Sequence, residues 1–234
     1  MVLVEGAKTD VALMKNIFCL YDIDVKYEIV SYCTNIYTLY REMFRYGIEE
    51  FDILQVLKSR EKDIAKKKIF DEKYTDILLI FDLDPQDPQF DSDHIKFMHN
   101  YFCESSDMGK LYLNYPMVEA FYHLQDIPDP NYFDRKASLD ELINKKYKER
   151  VNQETKNKEY RKFITNKEDC TTVILQNLSK SMFLSTGEVI EGHDILIKDY
   201  NINLNAVLEQ QLLLLDNYNF VYVLCTCVLY IIVN

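Results

Sequence analysis

Residues 77–85 read Ile77-Leu78-Leu79-Ile80-Phe81-Asp82-Leu83-Asp84-Pro85: five apolar residues run unbroken into two aspartates and a proline. Short, β-branched, uninterrupted apolar runs read as strands buried on both faces, the pattern of a parallel sheet. Val2-Leu3-Val4 repeats it and ends on Glu5-Gly6. Open α/β sheets gather their ligand sites at the carboxyl ends of the strands, which is where Glu5, Asp82 and Asp84 fall. Alternation along a strand puts Asp82 and Asp84 on one side, with Leu83 turned away. Two like charges about 4 Å apart repel by roughly 4 kcal/mol at an effective dielectric near 20, and a bound cation removes that cost. Hard carboxylate oxygens suit Mg²⁺ or Mn²⁺, so these acids predict a metal site.

Working outward, Gly6 permits a sharp turn into a helix over 8–20, with Val11, Met14, Phe18 and Tyr21 at helical spacing. Residues 25–31 alternate as a second strand. Asn35 can cap a helix that carries Ile36, Leu39, Tyr40 and Met43 and ends near Gly47. A second helical stretch over 48–70 follows, so a helical insertion is expected over about 36–73. Its aromatic residues, Tyr37, Tyr40, Phe44 and Tyr46, read as core. Pro85 and Pro88 forbid regular structure after the third strand. A helix over 91–103, a strand over 110–114 and a helix over 117–124 behind Pro116 complete a doubly wound α/β core over 1–125.

The turn cluster at 126–130 is the best candidate boundary, and 126–234 reads as a mostly helical region. Ser138 to Glu141 matches a capping box that opens a helix into a basic stretch. Further helices are expected over 172–183 and 203–215. Residues 220–234 are almost wholly apolar but fall short of the roughly 20 needed to cross a bilayer. A buried helix or strand is expected there, and no membrane; the apolar end leaves open a truncated form of a longer protein.

With 48% hydrophobic and 28% charged residues over 234, the composition is that of a soluble globular protein with one domain or one and a half. Six cysteines show neither a C-x-x-C pair nor zinc-type spacing, which points to a reducing cytoplasm rather than disulfides. The first strand starts at once and leaves no room for a signal peptide. The net charge of −11 argues against polyanion binding by the whole surface, but the charge is uneven. Residues 145–167 carry nine Lys or Arg against three Glu, a net +6, so the rest of the chain holds −17. A basic arm beside an acidic centre suits a metal-dependent enzyme acting on a polyanion; a solvated helix face is the alternative.

Val4-Glu5-Gly6-Ala7-Lys8-Thr9-Asp10 and Phe81-Asp82-Leu83-Asp84 resemble the two motifs of the Toprim fold, the metal-binding α/β domain of topoisomerases, primases and several nucleases. The first is similar to the form found in the RloB-like and OLD-related branch among antiphage defence proteins. Asn114-Tyr115-Pro116-Met117-Val118-Glu119-Ala120-Phe121-Tyr122-His123 is similar to a third segment of the RloB-like group. The resemblance covers about 125 residues. It departs from topoisomerases and primases in carrying Pro85-Gln86-Asp87-Pro88 where they usually have glycine, and no ATPase motif, zinc finger or topoisomerase tyrosine domain accompanies it.

The resemblance implies that Asp82 and Asp84 hold Mg²⁺, with Glu5 a further ligand or a general base. Lys8 would neutralise a phosphate oxygen beside a helix amino terminus, and Glu119 would complete the acidic cluster. His123 would share a helical face with Glu119. Lys145, Lys146, Lys148, Arg150, Arg161 and Lys162 are the candidate nucleic-acid contacts. The expected function is Mg-dependent cleavage of DNA or RNA in defence against phage or mobile DNA, beside an ATPase partner. The alternative is a non-catalytic nucleic-acid-binding or regulatory module.

Overall fold

The computed structural model describes residues 1–44, 52–106, 108–156, 162–189 and 202–233. β1 (Val2–Val4) leads through α1 (Thr9–Leu20) to β2 (Ile29–Ser31). The insertion follows as α2 (Ile36–Phe44), α3 (Ile53–Arg60) and α4 (Ile64–Lys67), the last running into a 3₁₀ turn at Lys68–Asp71. The helix end expected near Gly47 lies outside the described residues. The chain then forms β3 (Leu78–Asp82), α5 (Ser92–Tyr101), β4 (Cys103–Glu104) and β5 (Gly109–Tyr115). Beyond residue 126 come β6 (Lys136–Ser138), α6 (Leu139–Ile143), α7 (Lys146–Glu154), α8 (Lys167–Thr186), α9 (Leu204–Tyr218), β7 (Phe220–Tyr222), β8 (Leu224–Cys225) and α10 (Tyr230–Val233).

The apolar runs form the centre of a mixed, mostly parallel sheet flanked by helices. β1 pairs in parallel with β2 on one edge and β3 on the other, and β3 pairs in parallel with β5. Every residue of β1 and β3 is buried, as unbroken apolar strands covered on both faces must be. The crossovers β1 to β2 and β3 to β5 run in opposite directions, so right-handed connections put α1 and α5 on opposite faces. The chain reverses direction across the sheet between β1 and β3, and doubly wound sheets bind ligands in that crevice.

The outer edge of β5 takes two short antiparallel strands. β4 pairs with its start at Cys103↔Lys110, and β8 pairs with its end at Asn114↔Cys225. The sheet thus draws strands from both sides of residue 126. α8 and α9 pack on one another, α8 also against α1 and α9 against α5. Asn166 and Asn203 cap these two helices at their starts, and Gly187 (φ 80°) and Asn219 (φ 56°) end them in the left-handed region.

Three local expectations change. Only 29–31 of the alternating 25–31 stretch is strand, because β1 offers a three-residue edge; Asp24–Lys26 is a 3₁₀ turn with Val25 exposed. The helix expected over 117–124 is a 3₁₀ turn at Val118–Phe121, with all four residues buried and packed against β8. Ser138 caps α6 by accepting from the Glu141 N–H at 3.2 Å, but the Glu141 carboxylate binds Arg150 instead of closing a capping box. The apolar carboxyl-terminal run forms short strands and helix, with Val221 and Val223 to Tyr230 buried, and no helix among the described residues is long and apolar enough to cross a membrane.

Candidate metal centre

The sheet brings Glu5, Asp82 and Asp84 together at the carboxyl ends of β1 and β3. One oxygen from each lies within 4.8 Å of the others, a set that can hold a metal ion. The Glu5 N–H bonds the Ile80 carbonyl at 3.1 Å and extends the β1–β3 ladder by one residue. On the other side, Leu83 N–H donates to Asn114 O and Asp84 N–H to Pro116 O, each at 3.0 Å. Asp84 then turns left-handed with φ 41°, a conformation that aspartate tolerates better than most residues. It reaches the cleft from this turn, not from continued strand alternation.

Each carboxylate has one oxygen fixed by a neutral donor. Glu5 Oε2 accepts from the Asp82 N–H at 3.2 Å, Asp82 Oδ1 from Asn114 Nδ2 at 3.0 Å, and Asp84 Oδ1 from Gln86 Nε2 at 2.9 Å. Among the described residues, no protein donor meets the second oxygens. Ligating carboxylates are typically oriented in this way by outer hydrogen bonds. Burial, then the Asp84 charge, pushes the Glu5 carboxyl up to about 8. Burial first, then Glu5, raises Asp82, and burial raises Asp84. A cation bound between these oxygens would relieve the crowding.

The cleft encloses about 520 Å³ and is lined by the acids Glu5, Asp10, Asp82, Asp84 and Glu119 together with Lys145, Tyr147 and Lys148. Lys148 Nζ pairs with Glu119 Oε1 at 3.0 Å. Burial works against the Lys148 charge, but Glu119, with Asp82 and Asp84 behind it, holds the ammonium above its usual range. Glu119 Oε2 and Gln86 Oε1 are buried and meet no donor. Orphan acceptors beside a carboxylate triad fit a site made for a hydrated cation.

The other expected site residues fall as follows. Lys8 is exposed at the N-cap of α1 and does not line the cleft; Lys145 and Lys148 do. Lys146 is exposed on the first turn of α7, and Lys162 is exposed as well. Arg150 is held by both Glu141 oxygens, at 2.6 and 2.9 Å. Arg161 lies outside the described residues. His123 does not share a face with Glu119; it is fully buried between Tyr147 Oη at 3.2 Å and Glu154 Oε2 at 2.9 Å. Burial, then the Arg135 guanidinium, holds its imidazole well below the usual range.

Sequence reasoning assigned no role to Asp10, Gln86 or Asn114. Asp10 is buried on the first turn of α1 and accepts from the Gly6 N–H at 3.1 Å. A side chain at residue 6 would bring a Cβ within 2.5 Å of Asp10 Oδ2, so glycine is what lets the turn close over this carboxylate. The motif that ends on Asp10 was the available signal. Comparison with protein-family models, curated proteins and solved structures finds no match for this chain. The resemblance to the Toprim fold rests on the quoted motif residues.

Proposed function

We propose that this chain is a nuclease of Toprim type that uses Mg²⁺ or Mn²⁺ to hydrolyse phosphodiester bonds in DNA or RNA. The observation that carries the proposal is one cleft lined both by the Glu5, Asp82, Asp84 triad and by Lys145 and Lys148. The hard oxygen donors suit Mg²⁺ or Mn²⁺ over softer metals. A bound cation supplies charge stabilisation at the scissile phosphate. The chain's own groups do the rest. Lys145, exposed at the start of α7, and Lys148, once phosphate competes with Glu119 for it, would offset phosphate charge in the same cleft. Glu5, in reach of the same cation, would be a further ligand or the general base that takes a proton from the attacking water. The resemblance adds to this proposal a role in defence against phage or mobile DNA, beside an ATPase partner, and the cysteine pattern adds a cytoplasmic location.

The test is cleavage of supercoiled plasmid, single-stranded DNA and bulk tRNA with Mg²⁺ or Mn²⁺, comparing wild type with Glu5→Gln and Asp82→Ala. Metal-dependent cleavage by wild type should fall by about 100-fold or more in both variants. Equal residual cutting by all three proteins counts against the proposal. Substrate binding that survives both substitutions, without cleavage by any of them, favours a binding or regulatory module.

A further inference from the structure

Asp82 is held from the far end of the chain. Asn114 Nδ2 lies 3.0 Å from Asp82 Oδ1, and Cys225 Sγ lies 3.2 Å from Asn114 Oδ1. The nitrogen of the Asn114 amide thus faces Asp82 and its oxygen faces the sulfur, and an amide oxygen only accepts. The Cys225 thiol is therefore the donor. Cys227 Sγ, 3.2 Å from Cys225 Sγ, can donate in turn to that sulfur. Asn114 and Cys225 are fully buried and Cys227 is 2% exposed, so solvent does not compete for these bonds.

We infer that Cys225 is a positioning residue of the metal centre, its thiol keeping the Asn114 amide nitrogen on Asp82 Oδ1. The two residues are cross-strand partners in β5 and β8. Cys225 is itself fixed by α8: its N–H donates to Asn177 Oδ1 at 2.8 Å, and the same oxygen accepts from Tyr132 Oη at 2.6 Å. Without the thiol, Asn114 Oδ1 is left buried without its donor, and the Nδ2 bond to Asp82 alone orients the amide. Rotation about its last bond is then less restrained, and the contact to Asp82 Oδ1 loosens. With the thiol in place, Oδ1 of Asp82 is occupied and Oδ2 is the oxygen left for a cation. The consequence for cation affinity rests on the metal reading above; the amide orientation does not.

The experiment measures Mn²⁺ affinity of the full chain for wild type, Asn114→Ala, Cys225→Ala and Cys225→Ser, with the melting temperature of each in chelator. It also records the Asn114 side-chain amide resonances of the metal-free proteins. Asn114→Ala should bind about 10- to 100-fold more weakly, and Cys225→Ala about 3- to 10-fold more weakly, as for outer-shell partners of metal ligands. Cys225→Ser keeps a donor and should stay within about twofold of wild type. Cys225→Val fills the site without a donor and replaces Cys225→Ala if that variant does not fold. The amide resonances should move in Cys225→Ala or Cys225→Val and hold in Cys225→Ser. Unmoved amide resonances overturn the inference whatever the metal result. Serine binding as weakly as alanine overturns it too, because packing rather than donation would then matter. A wild type that binds no Mn²⁺ while the amide resonances behave as expected overturns the metal reading alone.

Discussion

Glu5 titrates far from an ordinary glutamate. In an unfolded chain its carboxyl titrates near 4.5; in the fold, burial and then Asp84 push it up to about 8. Between those values the native state holds a proton that the unfolded chain has released. Stability rises with pH only where the unfolded state binds more protons, so here the sign is reversed. The metal-free protein should lose stability as pH rises from about 4.5 to about 8. Each kcal/mol lost lowers the melting temperature by about 2–4 °C at this chain length. Calorimetry in chelator across that window should show a steady fall, shallower in Glu5→Gln. A divalent cation, which favours the deprotonated triad, should flatten the wild-type curve. A melting temperature that climbs through the window, or equal slopes for wild type and Glu5→Gln in chelator, would reject this account of the crowded acids.

Among the elements, α7 carries the lysines of the cleft. It starts on Lys145, a non-glycine residue in the left-handed region (φ 59°), and no side chain caps its first turn. Arg150, one turn further on, is occupied by Glu141. Phosphate contact should therefore depend on the first turn of α7 more than on the whole basic stretch. Lys145→Gly separates charge from fold, since it removes the cation while relieving about 1 kcal/mol of left-handed strain. Duplex DNA binding should weaken, and the slope of log affinity against log salt should fall by about 0.9 if one phosphate contact is lost. The melting temperature should hold or rise. An unchanged slope would take Lys145 out of the interface. How much of this was legible beforehand depends on the range of the interactions. β1, β3 and the acids at their ends are local signals, an apolar run and the residue that stops it. β4 and β8, at two residues each, are too short for alternation to register. α8 begins five residues before the apolar periodicity at 172, because its first turn is Lys167-Glu168-Asp169 behind the Asn166 cap. The partners that orient the acids are distant: Asn114 is 32 positions from Asp82, and Cys225 is 111 from Asn114. Spacing along a chain does not encode such pairs.

For the molecule as a whole, the question is whether residues 1–125 make a unit without the rest. β8 covers the end of β5 beside the acidic triad, and Thr226 Oγ1 donates to the Leu113 carbonyl at 2.8 Å. Tyr230 packs edge-on against Tyr27 and Tyr112, from α10 back onto the first half of the chain. Val221, Val223, Leu224, Val228 and Leu229 are each 2% exposed or less. Fully burying one such side chain contributes about 1.5–3 kcal/mol, so five contribute on the order of 10 kcal/mol. That matches the whole net stability of an ordinary domain, about 5–15 kcal/mol. Removing everything after residue 219 should therefore abolish cooperative unfolding, not merely lower the melting temperature. It should also uncover Asn114 and the β5 edge, with loss of Mn²⁺ affinity. The 1–219 chain would be followed by calorimetry, by near-ultraviolet circular dichroism of its tyrosines and by binding of a hydrophobic dye. A cooperative transition within a few degrees of the full chain, with Mn²⁺ still bound, would show that the first half carries its own core and that the carboxyl-terminal strands are an accessory to it.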